Sequence, residues 1–138
     1  MILFVNACVR PDSRTFMLAK KALQTISGEL EMVNLFEEDL GPLNYDELSK
    51  RDRFIEKGDY SDRMFRFARQ FSAADEIVIA APYWDLSFPA ILKCYIEAIC
   101  VNGLTFAYNE AGIPEGLCKA ERLIYVTTAG GFIPENNY

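Results

Sequence analysis

Two kinds of apolar pattern alternate along this chain. Runs of mostly apolar residues, typical of strands buried within a sheet, cover residues 2–5, 76–81 and 123–128, and residues 30–35 predict a more amphipathic strand. Between these runs, apolar residues recur at helical spacing in residues 13–28, 61–71 and 89–100, and a further short helix is predicted over residues 46–57. Strands separated by helices predict an α/β fold, a doubly wound parallel sheet with helices on both faces.

Length and composition predict a single domain over residues 1–138 and argue against several classes of function. Apolar residues make up 51% of the chain, enough for a hydrophobic core. A net charge of −6 disfavours nucleic-acid binding, and the absence of histidine removes the commonest metal ligand and general base. The four cysteines form no CxxC pair, so we predict neither a zinc site nor a disulfide framework. Because the first residues lack the pattern of a signal peptide or membrane span, we expect a cytoplasmic protein with no membrane partner.

Three predicted loops converge at one edge of this sheet. Ligands of open parallel sheets bind outside the carboxyl ends of the strands, where the strand order switches. The loops that reach this edge cover residues 7–15, 82–88 and 128–132. We therefore expect a ligand site built from these three segments.

The first loop has the composition of an anion site. The hydroxyls of Ser13 and Thr15, the Arg14 side chain and the free N–H groups of the helix start together predict a phosphate cradle. Arg10 adds a second positive charge. Alternatively, Ser13 is only the N-cap of the helix. The loop lacks the glycines of the dinucleotide and ATP motifs, so neither of those sites is predicted.

The second and third loops predict a slot for a planar ligand. Four side chains, Tyr83, Trp84, Leu86 and Phe88, offer the flat apolar surface that an aromatic ligand requires, although they could instead pack into the core or against a second subunit. Asp85 lies among them, where an unpaired carboxylate would be costly to bury. In the third loop, the paired glycines of TTAGG let the backbone approach a ligand closely, and an ordinary tight turn is the alternative.

Several motifs, in order, resemble those of the flavodoxin-like FMN-dependent NAD(P)H:quinone oxidoreductases and azoreductases. They are SRT at 13–15, AAPYWDLSFPAILKCYIEAI at 80–99, GLTFAY at 103–108, PEGL at 114–117 and VTTAGGF at 126–132. The resemblance implies an FMN site in which the first loop holds the phosphate and the other two border the flavin ring. The candidate cofactor residues are Arg10, Ser13, Arg14, Thr15, Pro82, Tyr83, Trp84, Asp85, Leu86, Thr128, Gly130 and Gly131.

The resemblance also implies an activity. The protein would transfer hydride from NAD(P)H through bound FMN to a quinone or azo acceptor in a ping-pong cycle. It would act as a homodimer, with helix 89–100 as the candidate dimer face. No residue is nominated as a catalytic acid or base, and none as a metal ligand. Two alternatives are an FMN electron carrier and a non-catalytic interaction domain that has lost the flavin.

Three features depart from the family pattern. Relatives often carry asparagine at the position of Asp85 and arginine at the position of Ala129. Relatives also continue beyond the position of Tyr138 through a further helix, strand and helix. We therefore expect a sheet truncated after its fourth strand, with an apolar edge that needs cover from another segment or chain.

Overall fold

Alternating strands and helices of residues 1–132 build one four-stranded sheet and a small separate hairpin. A computed structural model describes residues 1–132. The strands are β1 (Ile2–Asn6), β2 (Leu30–Asn34), β3 (Glu76–Ala80), β4 (Phe106–Tyr108), β5 (Pro114–Gly116) and β6 (Arg122–Val126). The helices are α1 (Arg14–Leu23), α2 (Tyr45–Glu56), α3 (Arg66–Ala73) and α4 (Ala90–Ile99), and short 3₁₀ turns span Leu35–Glu37 and Arg63–Phe65.

The main sheet is wholly parallel and has the strand order β2-β1-β3-β6. On one face, Phe4 and Val78 pack with Ala19 of α1. On the other face, Leu3 and Ile77 belong to a core cluster that includes side chains of α3 and α4. Helices therefore cover both faces, which confirms the predicted doubly wound α/β fold.

The strand order switches between β1 and β3. After β1 the chain moves outward to β2, and after β2 it returns to the other side of β1 to form β3. The connections that leave β1 and β3 therefore run to opposite faces, and a crevice forms where they part. This crevice positions the candidate site.

Two differences from the predicted elements have clear local causes. Helix α1 ends at Leu23 rather than near residue 28, because the backbone N–H and hydroxyl of Thr25 both donate to the Ala22 carbonyl, at 3.1 and 2.7 Å. The antiparallel pair β4–β5 was not predicted. Each of these strands has three residues, too short for an alternating pattern to be visible.

The outer strand β6 presents apolar surface at the edge of the sheet. Leu123 and Tyr125 are 48% and 46% exposed. Within residues 1–132, β6 pairs with β3 alone. The predicted apolar edge is therefore observed in the part of the chain that the structure describes.

Candidate functional site

A cleft of about 380 Å³ lies at the carboxyl edge of the sheet, where all three predicted loops meet. The loops that follow β1, β3 and β6 each contribute to its walls. This confirms the predicted convergence. The lining residues are Val9, Arg10, Asp12, Ser13, Arg14, Thr15, Pro82, Tyr83, Trp84, Thr128, Ala129 and Gly130.

One end of the cleft is the start of α1. Ser13 is its N-cap and accepts a hydrogen bond from the backbone N–H of Phe16 at 3.2 Å, and its contact with a cofactor stays a prediction. The first N–H groups of a helix have no intrahelical partners, and capping by Ser13 satisfies only that of Phe16. The N–H groups of Arg14 and Thr15 thus remain for a ligand. Arg10 and Arg14 are exposed beside them and give this end a positive field.

Thr15 connects the first loop to the third. Its side chain is 1% exposed, and its hydroxyl lies 2.7 Å from the hydroxyl of Thr128. The Thr128 carbonyl also accepts from the Tyr83 backbone N–H at 3.1 Å, which joins the second loop to the third. Thr15 and Thr128, both predicted as cofactor residues, therefore also hold the walls of the cleft together.

The second loop divides its aromatic side chains between the cleft and the core. Tyr83 and Trp84 line the cleft and are half-buried, whereas Phe88 packs against the core beneath α4. Between them the backbone makes a tight turn, in which Trp84 and Ser87 exchange two N–H···O=C bonds of 3.0 and 2.8 Å. One loop thus contributes side chains both to the core and to the cleft.

The tip of this turn has an uncommon backbone conformation. Asp85 and Leu86 have φ values of 49° and 64°, in the left-handed region that leucine rarely adopts. Both are exposed and lie outside the set of residues that line the cleft, as does Gly131. The carboxylate of Asp85 faces solvent, so it avoids the desolvation penalty expected for a buried, unpaired carboxylate. The contact of these three residues with a cofactor stays a prediction.

Two side chains of the first loop were missed as cleft residues. Val9 and Asp12 both line the cleft, together with Ala129 of the third loop. Asp12 adds a carboxylate to the cleft that both arginines of the predicted phosphate cradle also line. Its position between Arg10 and Arg14 in the sequence was the available signal, because the three charges occur at alternate residues.

The thiol of Cys8 lies close to this loop but has the properties of a packed group. Burial raises its pKa, and a hydrogen bond with the Ser13 side chain opposes that shift in part. Cys8 also contacts the core cluster beneath α1. A raised pKa keeps the thiol protonated near neutral pH, which disfavours nucleophilic chemistry.

Residues 1–132 contain neither a membrane-spanning helix nor a cluster of metal ligands. No helix there combines the length and apolar composition needed to cross a bilayer. The same residues contain no group of three or more Cys, Asp or Glu side chains placed to hold a metal ion.

Comparison with known proteins gives the family. A family model described as a flavodoxin-like fold matches residues 1–137. The FMN-dependent NADH:quinone oxidoreductase 2 of Clostridium acetobutylicum is 34% identical over 145 residues, which cover 99% of this chain and 71% of the relative. This chain belongs to the same flavodoxin-like family. An FMN-dependent NADH:quinone oxidoreductase of Clostridium beijerinckii is 33% identical, over 99% of this chain and 72% of the relative.

Solved structures of azoreductases share the fold. An azoreductase from Bacillus anthracis str. Sterne superposes with a TM-score of 0.75 at 25% identity, over 95% of this chain and 69% of that protein. An FMN-dependent NADH-azoreductase from Bacillus anthracis str. Ames Ancestor, solved in complex with FMN, gives a TM-score of 0.77 at 23% identity over 99% of this chain and 72% of that protein. The chain thus spans about seven-tenths of the length of the relatives that it matches.

Proposed function

We propose that this protein is an FMN-dependent oxidoreductase that transfers hydride from NAD(P)H through FMN to a quinone or azo acceptor. The observation that carries the proposal is the cleft itself. A helix start with two arginines lies at one end, two half-buried aromatic side chains lie in another wall, and both stand at the switch point of the sheet. The names of the relatives, FMN-dependent NADH:quinone oxidoreductase and azoreductase, support the same assignment.

The donor groups of the cleft fit a phosphomonoester tail. Backbone N–H groups at the start of α1 donate hydrogen bonds, and Arg10 and Arg14 supply charge. The third loop fits close approach of a ligand, because Gly130 lines the cleft and a Cβ built there would meet no atom within 4 Å. The volume of the cleft falls within the usual range of small-molecule sites, about 300–1,000 Å³.

The side chains of the cleft would position a flavin and its substrates rather than transfer protons. When bound, FMN supplies the redox chemistry, since it accepts hydride from a nicotinamide and passes two electrons to an acceptor. Pro82, Tyr83 and Trp84 would border its ring and exclude water from one side. Backbone N–H groups of the second and third loops would stabilise negative charge on the ring. We assign no catalytic acid or base. We expect a ping-pong cycle, in which NADH and the acceptor would bind in turn in the same cleft.

The donor, the assembly and the cellular location are parts of the same proposal. We expect NADH to serve as donor, because the quinone-reductase relatives carry NADH in their names. A homodimer would place α4 near the partner. Its accessible side includes Lys93 and Glu97, paired at 3.0 Å, which would supply polar groups to such a contact. A cytoplasmic location would give the protein access to NADH.

Anaerobic absorbance spectroscopy tests the cofactor and the donor together. The protein loaded with FMN should show a visible flavin band that bleaches on addition of NADH and returns on addition of a quinone. A protein that retains no FMN refutes the proposal. FMN binding without any NADH-dependent bleaching would instead indicate an electron carrier.

A charge variant tests the phosphate end separately. Arg14→Gln should weaken FMN binding about fivefold, equivalent to about 1 kcal/mol for a partly exposed charged contact, and should leave riboflavin binding nearly unchanged. Arg53→Gln is the matched control, because Arg53 is an exposed arginine of α2 outside the cleft. Equal effects of the two substitutions would assign the loss to net charge rather than to a phosphate contact.

A further inference from the structure

A chain of side-chain hydrogen bonds leads from the first loop of the cleft to solvent. The backbone N–H of Cys8 donates to Asn6 Oδ1 at 3.0 Å, and Asn6 Nδ2 donates to Asn34 Oδ1 at 2.8 Å. Asn34 Nδ2 then donates to Glu37 Oε2 at 3.2 Å. Asn6 is 8% exposed, Asn34 is half-buried and Glu37 is exposed, so the chain crosses from the interior to the surface.

The two ends of this chain fix the orientation of both amides between them. A backbone N–H can only donate, so Asn6 must turn its oxygen toward Cys8 and its NH₂ toward Asn34. A carboxylate can only accept, so Asn34 must turn its NH₂ toward Glu37 and its oxygen toward Asn6. Every donor therefore points in the same direction, and such head-to-tail hydrogen bonds strengthen one another.

The segment held by this chain is the start of the predicted phosphate cradle. Ala7 N–H donates to the Ala80 carbonyl at 2.8 Å, which anchors the loop on the side of β3. Asn6, held by Asn34 at the end of β2, anchors the next residue, Cys8, from the opposite side. Arg10 lies two residues after Cys8 in the polypeptide, and its carbonyl accepts from the Ser13 N–H at 3.2 Å.

We propose that Asn6, Asn34 and Glu37 form a positioning relay that orients the loop of residues 7–13 for the phosphate of FMN. None of the three lines the cleft, so they act through the loop rather than on the ligand. The inference rests on the proposed function. It predicts that damage to the relay weakens the binding of FMN more than that of riboflavin, which has no phosphate.

Two substitutions of Asn34 separate orientation from charge. Asn34→Asp keeps an oxygen for Asn6 to donate to, and the exposed Glu37 side chain can turn away from the new carboxylate. Asn34→Leu is similar in size but accepts no hydrogen bond, so Asn6 loses its fixed orientation. A carboxylate near the cradle should by simple electrostatics weaken phosphate binding, so tighter FMN binding by Asn34→Asp than by Asn34→Leu is the distinctive result.

The experiment measures dissociation constants of FMN and riboflavin by quenching of flavin fluorescence. Asn34→Leu should weaken FMN binding about five- to tenfold and riboflavin binding less than about twofold, as expected for one lost hydrogen bond near a charged ligand. Asn34→Asp should stay within about twofold of the wild type for both ligands. The relay is refuted if Asn34→Leu keeps the wild-type ratio of the two constants, or if Asn34→Asp binds FMN more weakly than Asn34→Leu.

Amide hydrogen exchange at Cys8 in the flavin-free protein gives a second readout. Exchange should accelerate about tenfold in Asn34→Leu and stay near the wild-type rate in Asn34→Asp, because only the first releases Asn6. Unchanged exchange in both variants would overturn the relay. A wild-type protein that binds neither flavin would refute the proposed function and the phosphate role of the relay, whereas normal wild-type binding with an unchanged ratio refutes the relay alone.

Discussion

The hydroxyl pair of Thr15 and Thr128 predicts an asymmetric response to two similar substitutions. Valine at either position keeps the branched shape and removes the same 2.7 Å hydrogen bond, whose net contribution is about 0.5–1.5 kcal/mol. The hydroxyl that is left behind differs. Thr128→Val leaves the Thr15 hydroxyl buried, at 1% exposure, and an unsatisfied buried group costs about 1–3 kcal/mol. Thr15→Val leaves the half-buried Thr128 hydroxyl, which can turn to water.

The expected changes in the free energy of unfolding follow from this difference. Thr128→Val should destabilise the protein by about 2 kcal/mol and Thr15→Val by about 1 kcal/mol. The double variant should lose about 1 kcal/mol or less, because no unpaired hydroxyl remains, so the two effects couple by about 2 kcal/mol.

Urea unfolding of the four flavin-free proteins in one buffer measures these values. Thr127→Val is the control, since Thr127 is an exposed threonine next to Thr128 and its substitution should change the free energy by less than about 0.5 kcal/mol. Two results would refute the reasoning: a larger loss from Thr15→Val than from Thr128→Val, or single effects that add within about 0.5 kcal/mol.

Two further substitutions test the core and one surface ion cluster. Within residues 1–132 the Tyr95 hydroxyl is buried without a hydrogen-bond partner, so Tyr95→Phe should raise the free energy of unfolding by about 1 kcal/mol, and a loss of that size would reveal a partner. The exposed Tyr45→Phe is its control. The pKa of Asp75 is lowered to about 2, first by Lys119 and then by the N-terminal ammonium, so its contribution to stability is present above about pH 4 and is lost as pH falls toward 2. Asp75→Asn should reduce the drop in the urea midpoint between about pH 5 and pH 2.5, and an unchanged drop would exclude this ion cluster as a source of acid sensitivity.

The sheet was predictable because its sequence signals are strong and local. The runs that became β1 and β3 are buried on both faces, so nearly every residue is apolar and the run itself marks the strand. Ile26 was predicted as helical, and it does pack against the core, but from the turns that follow α1. The helical spacing of apolar residues thus predicted correctly that Ile26 is packed against the core, whereas the end of α1 depended on the Thr25 hydroxyl.

The positions of the three loops followed from topology, but their internal geometry did not. Carboxyl ends of parallel strands share one edge, so the convergence of the loops needed only the order of the elements. The left-handed backbone at Leu86 had no signal, because leucine is disfavoured there and the turn overrides that preference. The contact between Asn6 and Asn34 joins residues 28 positions apart and depends on the register of β1 with β2. No local pattern encodes such a register.

The walls of the cleft are joined by hydrogen bonds that continue the sheet beyond its strands. Ala81 N–H donates to the Val126 carbonyl at 3.0 Å, and Tyr83 N–H donates to the Thr128 carbonyl at 3.1 Å. The second and third loops therefore leave the sheet side by side. Thr15 then joins the first loop to the third. A ligand that enters walls already fixed loses little affinity to their ordering. The exposed segment 9–12 is the exception among the described lining residues. Inside it only the Arg10 carbonyl is hydrogen-bonded, to the Ser13 N–H, and its other support comes from the relay at Cys8 and the helix cap at Ser13. Structural adjustment on anion binding should therefore concentrate in this segment. It contains Arg10 of the cradle and Asp12, whose carboxylate competes with a bound anion for positive charge.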